Sequence, residues 1–177
     1  MSRYITLLLF IGLAWGQNEY NIKHIVDQDS VYKKKFSDEI VNGNIYQMTD
    51  DMKVPLGKMK NGKKDGLWTE WYPNMRKLEE TYKHGMLDGS VSLYYKTGQK
   101  EWRHTYNNGQ FEGLWTYWYE NGQKMREGNF MCGDSTGKWI WWDKNGRVEK
   151  EKKYKNRKNA IWANYNEYVL IETVTEP

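Results

Sequence analysis

The sequence holds one cysteine and three histidines in 177 residues. Cys132 has no internal disulfide partner, and no second thiol or nearby histidine completes a metal site around it. It reads as a free thiol in an apolar or turn position. His24, His84 and His104 lack metal-ligand spacing to one another or to a carboxylate cluster, so each reads as a satisfied or exposed histidine. The few serines form no nucleophile elbow, and the glycines form no phosphate loop. Asp50-Asp51 and Glu79-Glu80 are adjacent carboxylates, which a strand directs to opposite faces, so neither pair can act together on one bond. A strong charge excess is also missing. The 27 basic and 23 acidic residues leave +4, spread too evenly to argue for nucleic acid. These absences predict a protein that is not an enzyme and carries no metal and no cofactor.

Apolar residues are sparse, at 38% with a mean hydropathy of -0.97. What is present instead is aromatic: 10 Trp and 14 Tyr against 4 Phe. Such rings pack on one edge and stay wet on the other. They exclude the composition of a disordered chain and suit a thin sheet better than a thick aliphatic core.

Long apolar runs are absent except at the start. Met1 to Gly16 has the form of a secretory signal peptide: Arg3, the apolar run Tyr4 to Leu13, then Ala14-Trp15-Gly16, with cleavage expected before Gln17. The run is too short to span a bilayer. Loss of Arg3 would leave a net charge of +3, and residue 17 is Gln, so no lipid anchor forms at the cleavage site. The expected location is outside the cytoplasm: periplasm, cell surface or medium, with no transmembrane segment after cleavage.

The dominant pattern is an internal repeat. Gly66-Leu-Trp-Thr-Glu-Trp-Tyr-Pro-Asn, Gly89-Ser-Val-Ser-Leu-Tyr-Tyr-Lys-Thr-Gly, Gly113-Leu-Trp-Thr-Tyr-Trp-Tyr-Glu-Asn-Gly and Gly137-Lys-Trp-Ile-Trp-Trp-Asp-Lys-Asn-Gly start at spacings of 23, 24 and 24 residues. Gly62, Gly85, Gly109 and Gly133 precede these starts by four residues, and Gly98, Gly122 and Gly146 follow by nine. Asn121-Gly122 and Asn145-Gly146 lie between alternating aromatic runs and predict two-residue type I′ hairpin turns. The Gly-x-x-x-Gly stretches close the other end. The first repeat, with Pro73-Asn74-Met75 at that place, predicts a different turn and a shifted pairing, because the common register would oppose Glu70 to Glu79.

Alternation sorts each first strand into two faces, both aromatic and neither wholly apolar. One carries Leu67, Thr69 and Trp71 with their counterparts, the other Trp68, Glu70 and Tyr72 with theirs. A two-residue turn places Tyr119 opposite Lys124, Trp118 opposite Met125, Tyr117 opposite Arg126, Trp115 opposite Gly128, Trp141 opposite Lys150 and Trp139 opposite Lys152. One face is thus expected to pair aromatics with cations and the other to be paired through apolar contact. Trp115 would cover Gly128. The fold class expected is all-β: an elongated single-layer antiparallel β-meander of repeated hairpins. The division is 1–16 signal peptide, 17–52 N-terminal flank with a degenerate hairpin at Ile40 to Tyr46, 53–155 repeats, and 156–177 a C-terminal capping hairpin from Ala160 to Asn164 and Tyr168 to Thr175. Capping follows from the hazard of open sheet edges.

Gly113-Leu-Trp-Thr-Tyr-Trp-Tyr-Glu-Asn-Gly-Gln-Lys-Met-Arg-Glu-Gly-Asn-Phe-Met-Cys-Gly resembles the MORN-repeat variant (membrane occupation and recognition nexus), and the resemblance runs from about Lys53 to Tyr154. Bacterial chains of such repeats include antitoxin-like proteins of the YwqK type. The resemblance implies an elongated meander used for protein or membrane-surface contact, without catalysis. The expected function is a protein-interaction or scaffold module in the cell envelope. The alternatives are a carbohydrate or cell-wall binding module and an antitoxin-like partner of a toxin. The binding residues expected are Tyr117, Trp141, Trp115, Trp139, Arg126 and Lys150. A protein partner leads, and a glycan is the runner-up because Trp and Tyr rings can lie flat on sugars. Tyr117 and Trp141 are the sharper candidates, since their column varies between repeats (Glu70, Leu93).

Overall fold

Alternating aromatic and polar residues bounded by glycine turns make strands, and strands here follow one another almost without interruption. The computed structural model describes residues 18–50 and 52–155. The expected signal peptide and C-terminal capping hairpin lie outside those residues. A 12-stranded sheet contains β1 (Glu19–Asn21), β4 (Gly43–Thr49), β5 (Met52–Lys60), β6 (Lys63–Trp71), β7 (Lys77–Lys83), β8 (Met86–Tyr94), β9 (Lys100–Asn107), β10 (Gln110–Phe111), β11 (Gly113–Trp118), β12 (Lys124–Met131), β13 (Asp134–Trp142) and β14 (Val148–Tyr154). Its order from β4 to β14 is sequential, with β10 and β11 both on β9, and it does not close on itself. The all-β meander is therefore as the repeat predicts. Within this sheet β1 departs from the meander by pairing β4 in parallel.

The N-terminal flank is built differently from its expectation. Asn42-Gly43 is no hairpin turn. Hairpins form instead between β2 (Ile25–Gln28) and β3 (Val31–Lys34), and between β4 and β5. Asn42 accepts the backbone N–H of Asn61 at 2.9 Å, and an added Cβ on Gly43 would overlap the Asn18 carbonyl. This Asn-Gly serves close approach, not reversal. The flank covers the start of the sheet: Val41, Ile45 and Met59 are at most 1% exposed and cluster with Tyr20, Ile25 and Trp68.

The two kinds of turn are interchanged relative to expectation. Type I′ pairs, with both central residues at positive φ, sit at the other end of the hairpins: Asn61-Gly62, His84-Gly85, Asn108-Gly109 and Cys132-Gly133. The last three of these glycine N–H groups donate to the preceding hairpin, as Gly133 does to Phe111 O at 2.9 Å, and Gly62 donates to Val41 O. At Asn121-Gly122 the loop is longer. Gly122 N–H donates to Tyr119 O and Tyr119 N–H to Gln123 O, both at 2.9 Å, and only Gly122 (φ 84°) is left-handed. This is a type I turn followed by a glycine bulge. Asn121 stays right-handed because its side chain accepts the Gln123 N–H at 3.0 Å.

That turn opposes Trp118 to Lys124, not to Met125, and Tyr119 to Gln123, not to Lys124. A bulge at Met125 then adds one residue and restores the expected pairs, Tyr117 with Arg126 and Trp115 with Gly128. Glu101 and Glu149 are the equivalent unpaired residues of their repeats. The first repeat lacks this residue. Its ladder runs unbroken from Trp71–Lys77 to Gly66–Tyr82, which explains its spacing of 23 against 24 and sets Glu70 opposite Leu78. The shifted pairing was expected there, but the turn is not of another type. Met75 occupies the glycine position at φ 60°, and its N–H donates to Tyr72 O at 3.0 Å.

A non-glycine residue in the left-handed region carries a cost of about 1 kcal/mol. Met75→Gly should therefore raise stability by about 1 kcal/mol. Urea denaturation of the two proteins measures it.

Candidate binding face

Because successive side chains alternate, register decides which residues share a face. One row crosses the sheet as Glu70, Leu78, Leu93, Trp102, Tyr117, Arg126, Trp141 and Lys150. Beside it on the same face lie Trp68, Glu80, Val91 and His104, then Trp115, Gly128, Trp139 and Lys152. All six residues singled out in the sequence thus fall on one face in two adjacent rows.

The second row is structural. The residue at the fixed repeat position packs on the one eleven places earlier in the preceding strand. An added Cβ on Gly57 or Gly128 would overlap the indole of Trp68 or Trp139. Gly128 is therefore covered by Trp139, although Trp115 is its partner in the ladder. Trp115 instead stacks on His104, with centroids 4.1 Å apart. Trp68 and Trp139 are 6% and 4% exposed, as buried as side chains in a conventional core. Phe130 and Tyr154 meet Trp139 edge-on at 5.3 and 5.9 Å.

The first row is more open. Tyr117 and Trp141 are half-buried and Lys150 is exposed. The Arg126 guanidinium lies 4.0 Å over the Tyr117 ring and 5.1 Å over Trp115, and Lys150 Nζ lies 5.7 Å over Trp141. Such contacts contribute ~0.5–1 kcal/mol each where exposed. The opposite face is not the apolar one expected. The turn moves Met125 away from Trp118, and cations meet rings there too: Lys77 Nζ is 4.2 Å from the Tyr94 centroid, and Lys124 is 5.9 Å from that of Trp142. On that face the carboxylates also find cations, in Lys77–Glu79 (2.7 Å), Lys124–Glu127 (2.6 Å) and Lys138–Glu151 (2.7 Å).

His104 was read as satisfied or exposed, and it is neither. It is 6% exposed, its Nε2 has no partner among the described residues, and it lies between Trp102 at 4.2 Å and Trp115 at 4.1 Å. Burial, aided by the Arg126 charge, lowers its pKa to about 3. Only its place in the second row, where another strand carries Gly128, could have marked it in the sequence. Tyr95 and Tyr119 were also overlooked. Their hydroxyls donate to Trp118 O at 2.8 Å and Trp142 O at 2.9 Å, tying each repeat to the next. Their recurrence just before the turn glycine was the available signal.

Among the described residues no group of three or more His, Cys, Asp or Glu could hold a metal ion, and no helix is long and apolar enough to cross a membrane.

Unfolding releases His104 to a pKa near its ordinary 6.5. Between there and about 3 the unfolded chain takes up a proton that the folded chain refuses, so the histidine's effect destabilises the fold as pH falls. The expected slope is about 1 kcal/mol per pH unit below 6. His104→Phe should remove it, so denaturation of parent and variant from pH 7 to pH 4 should diverge by that slope.

The family model of the MORN repeat variant matches residues 111–131 and 135–156, the third and fourth repeats. No curated protein matches the chain.

Proposed function

We propose that this chain of MORN-variant repeats is a non-enzymatic scaffold of the cell envelope that holds a protein partner on its aromatic–cationic face. The observation that carries the reading is the row Tyr117, Arg126, Trp141 and Lys150, four strands wide and more open than the structural row beside it. Rings and a guanidinium of this kind are what protein interfaces are enriched in. A repeat sheet offers them along one extended surface. The occupied faces of the rings argue for protein over glycan: a sugar stacking on Tyr117 would first displace the Arg126 guanidinium, 4.0 Å above it. A toxin would be one instance of such a partner. The form of Met1 to Gly16 supports export, which would put the surface outside the cytoplasm.

Capture from envelope extracts by the parent protein and by Tyr117→Ala/Trp141→Ala tests the reading. The parent should retain a defined protein, and the variant should retain at least tenfold less. No retained protein, beside glycan-array binding that the variant loses, would favour the carbohydrate reading. N-terminal sequencing of the native protein should begin at Gln17. Recovery of the uncleaved chain from the cytosol would contradict export.

A further inference from the structure

We infer that the partner surface is an acidic, extended polypeptide segment lying across β12 to β14, with its carboxylates on Arg126, Lys150 and Lys152. The inference rests on the protein-partner reading above and adds its chemistry. The three cations share one face of the sheet, and none makes an ion pair among the described residues. The carboxylates Glu127 and Glu151 of the same strands alternate to the opposite face, where Lys124 and Lys138 take them up. Glu149, the bulge residue, is exposed and makes no ion pair among the described residues. What surrounds the three cations on their own face is aromatic: Tyr117 under Arg126, Trp141 under Lys150 and Tyr154 under Lys152 at 5.0 Å. Positive charge is thus held on rings, with no anion against it among the described residues.

Arg126 is the most committed of the three. Its Nε is buried with no partner among the described residues, while its guanidinium is fixed against Tyr117. A buried donor without an acceptor is a standing cost that a carboxylate relieves, and guanidinium geometry favours two oxygens at once.

Spacing defines the segment. Arg126 and Lys150 stand in one row, two strands apart with Trp141 between them. Two inter-strand steps are about 9.6 Å, and three residues of polyproline II chain cover about 9.3 Å and bring i and i+3 to the same side. A segment crossing the strands in that form with acids at i and i+3 would reach both cations. Nucleic acid is the weaker fit, because three cations on a face otherwise rich in half-buried rings make no phosphate track. An anionic bilayer is weaker too. It calls for apolar groups that protrude, and Trp139 and Trp115 are packed down on Gly128 and His104.

The test titrates the mature protein with a synthetic peptide carrying Glu at i and i+3 with Pro between, which holds the polyproline II form, and with its Gln counterpart. Vesicles of zwitterionic lipid with one-quarter phosphatidylglycerol form a third arm. The Glu peptide should bind, more weakly as salt rises, and the Gln peptide at least tenfold more weakly. Lys150→Gln/Lys152→Gln, which alters no buried group, should lose about tenfold, and adding Arg126→Gln should lose more. Equal binding of the two peptides, undiminished binding by the variants, or preference for the vesicles would overturn the inference. The envelope capture separates it from the broader reading. If the Lys150→Gln/Lys152→Gln/Arg126→Gln protein, folded by its thermal transition, retains the same partner as the parent, the acidic chemistry fails and the scaffold stands. If the parent retains no protein, the scaffold reading fails.

Discussion

The structure depends on a tryptophan laid on the backbone of the strand before it. Beyond the start that the flank covers, the sheet has no second layer to bury its apolar surface, so it must bury that surface on itself. Trp139 does so on Gly128 and Trp68 on Gly57, where any Cβ would collide with the indole. Ring area of this size dominates burial in a chain otherwise poor in apolar residues. The repeat follows from that contact. A ring eleven residues beyond its seat requires one strand, one tight turn and the start of the next strand. The hydroxyls of Tyr95 and Tyr119 then fix one repeat to the next.

The same contact explains why one face can be both core and binding surface. The row of Trp115 and Trp139 sits low against the backbone. The neighbouring row, Tyr117, Arg126, Trp141 and Lys150, is released from that duty and stays partly open. His104 marks where the two roles meet. It replaces the glycine under Trp115, is kept neutral by burial, and lies within the field of Arg126.

Much of this was legible in the glycine spacing and alternation. The meander, the shared face of the six candidate residues and the pairs Tyr117–Arg126 and Trp141–Lys150 follow from period and parity. The turns were not legible, because Asn-Gly serves several purposes in this chain. It makes a type I′ turn at Asn108-Gly109, part of a longer loop at Asn121-Gly122, and a close approach at Asn42-Gly43. Two shifts cancel at Asn121-Gly122: the longer turn moves the ladder by one residue, and the Met125 bulge moves it back. The missing bulge residue was visible as the spacing of 23, but its meaning needed the pairing of the first repeat. The burial of His104 depends on rings from three strands and has no local signature.

The central claim is that adjacent rows of one face divide stability from recognition. Equilibrium denaturation of Trp139→Ala and Trp141→Ala, side by side, tests it most directly. Loss of the buried ring should cost about 3–5 kcal/mol at position 139, and about 1–2 kcal/mol at the half-buried position 141. Equal losses at the two positions would contradict the account.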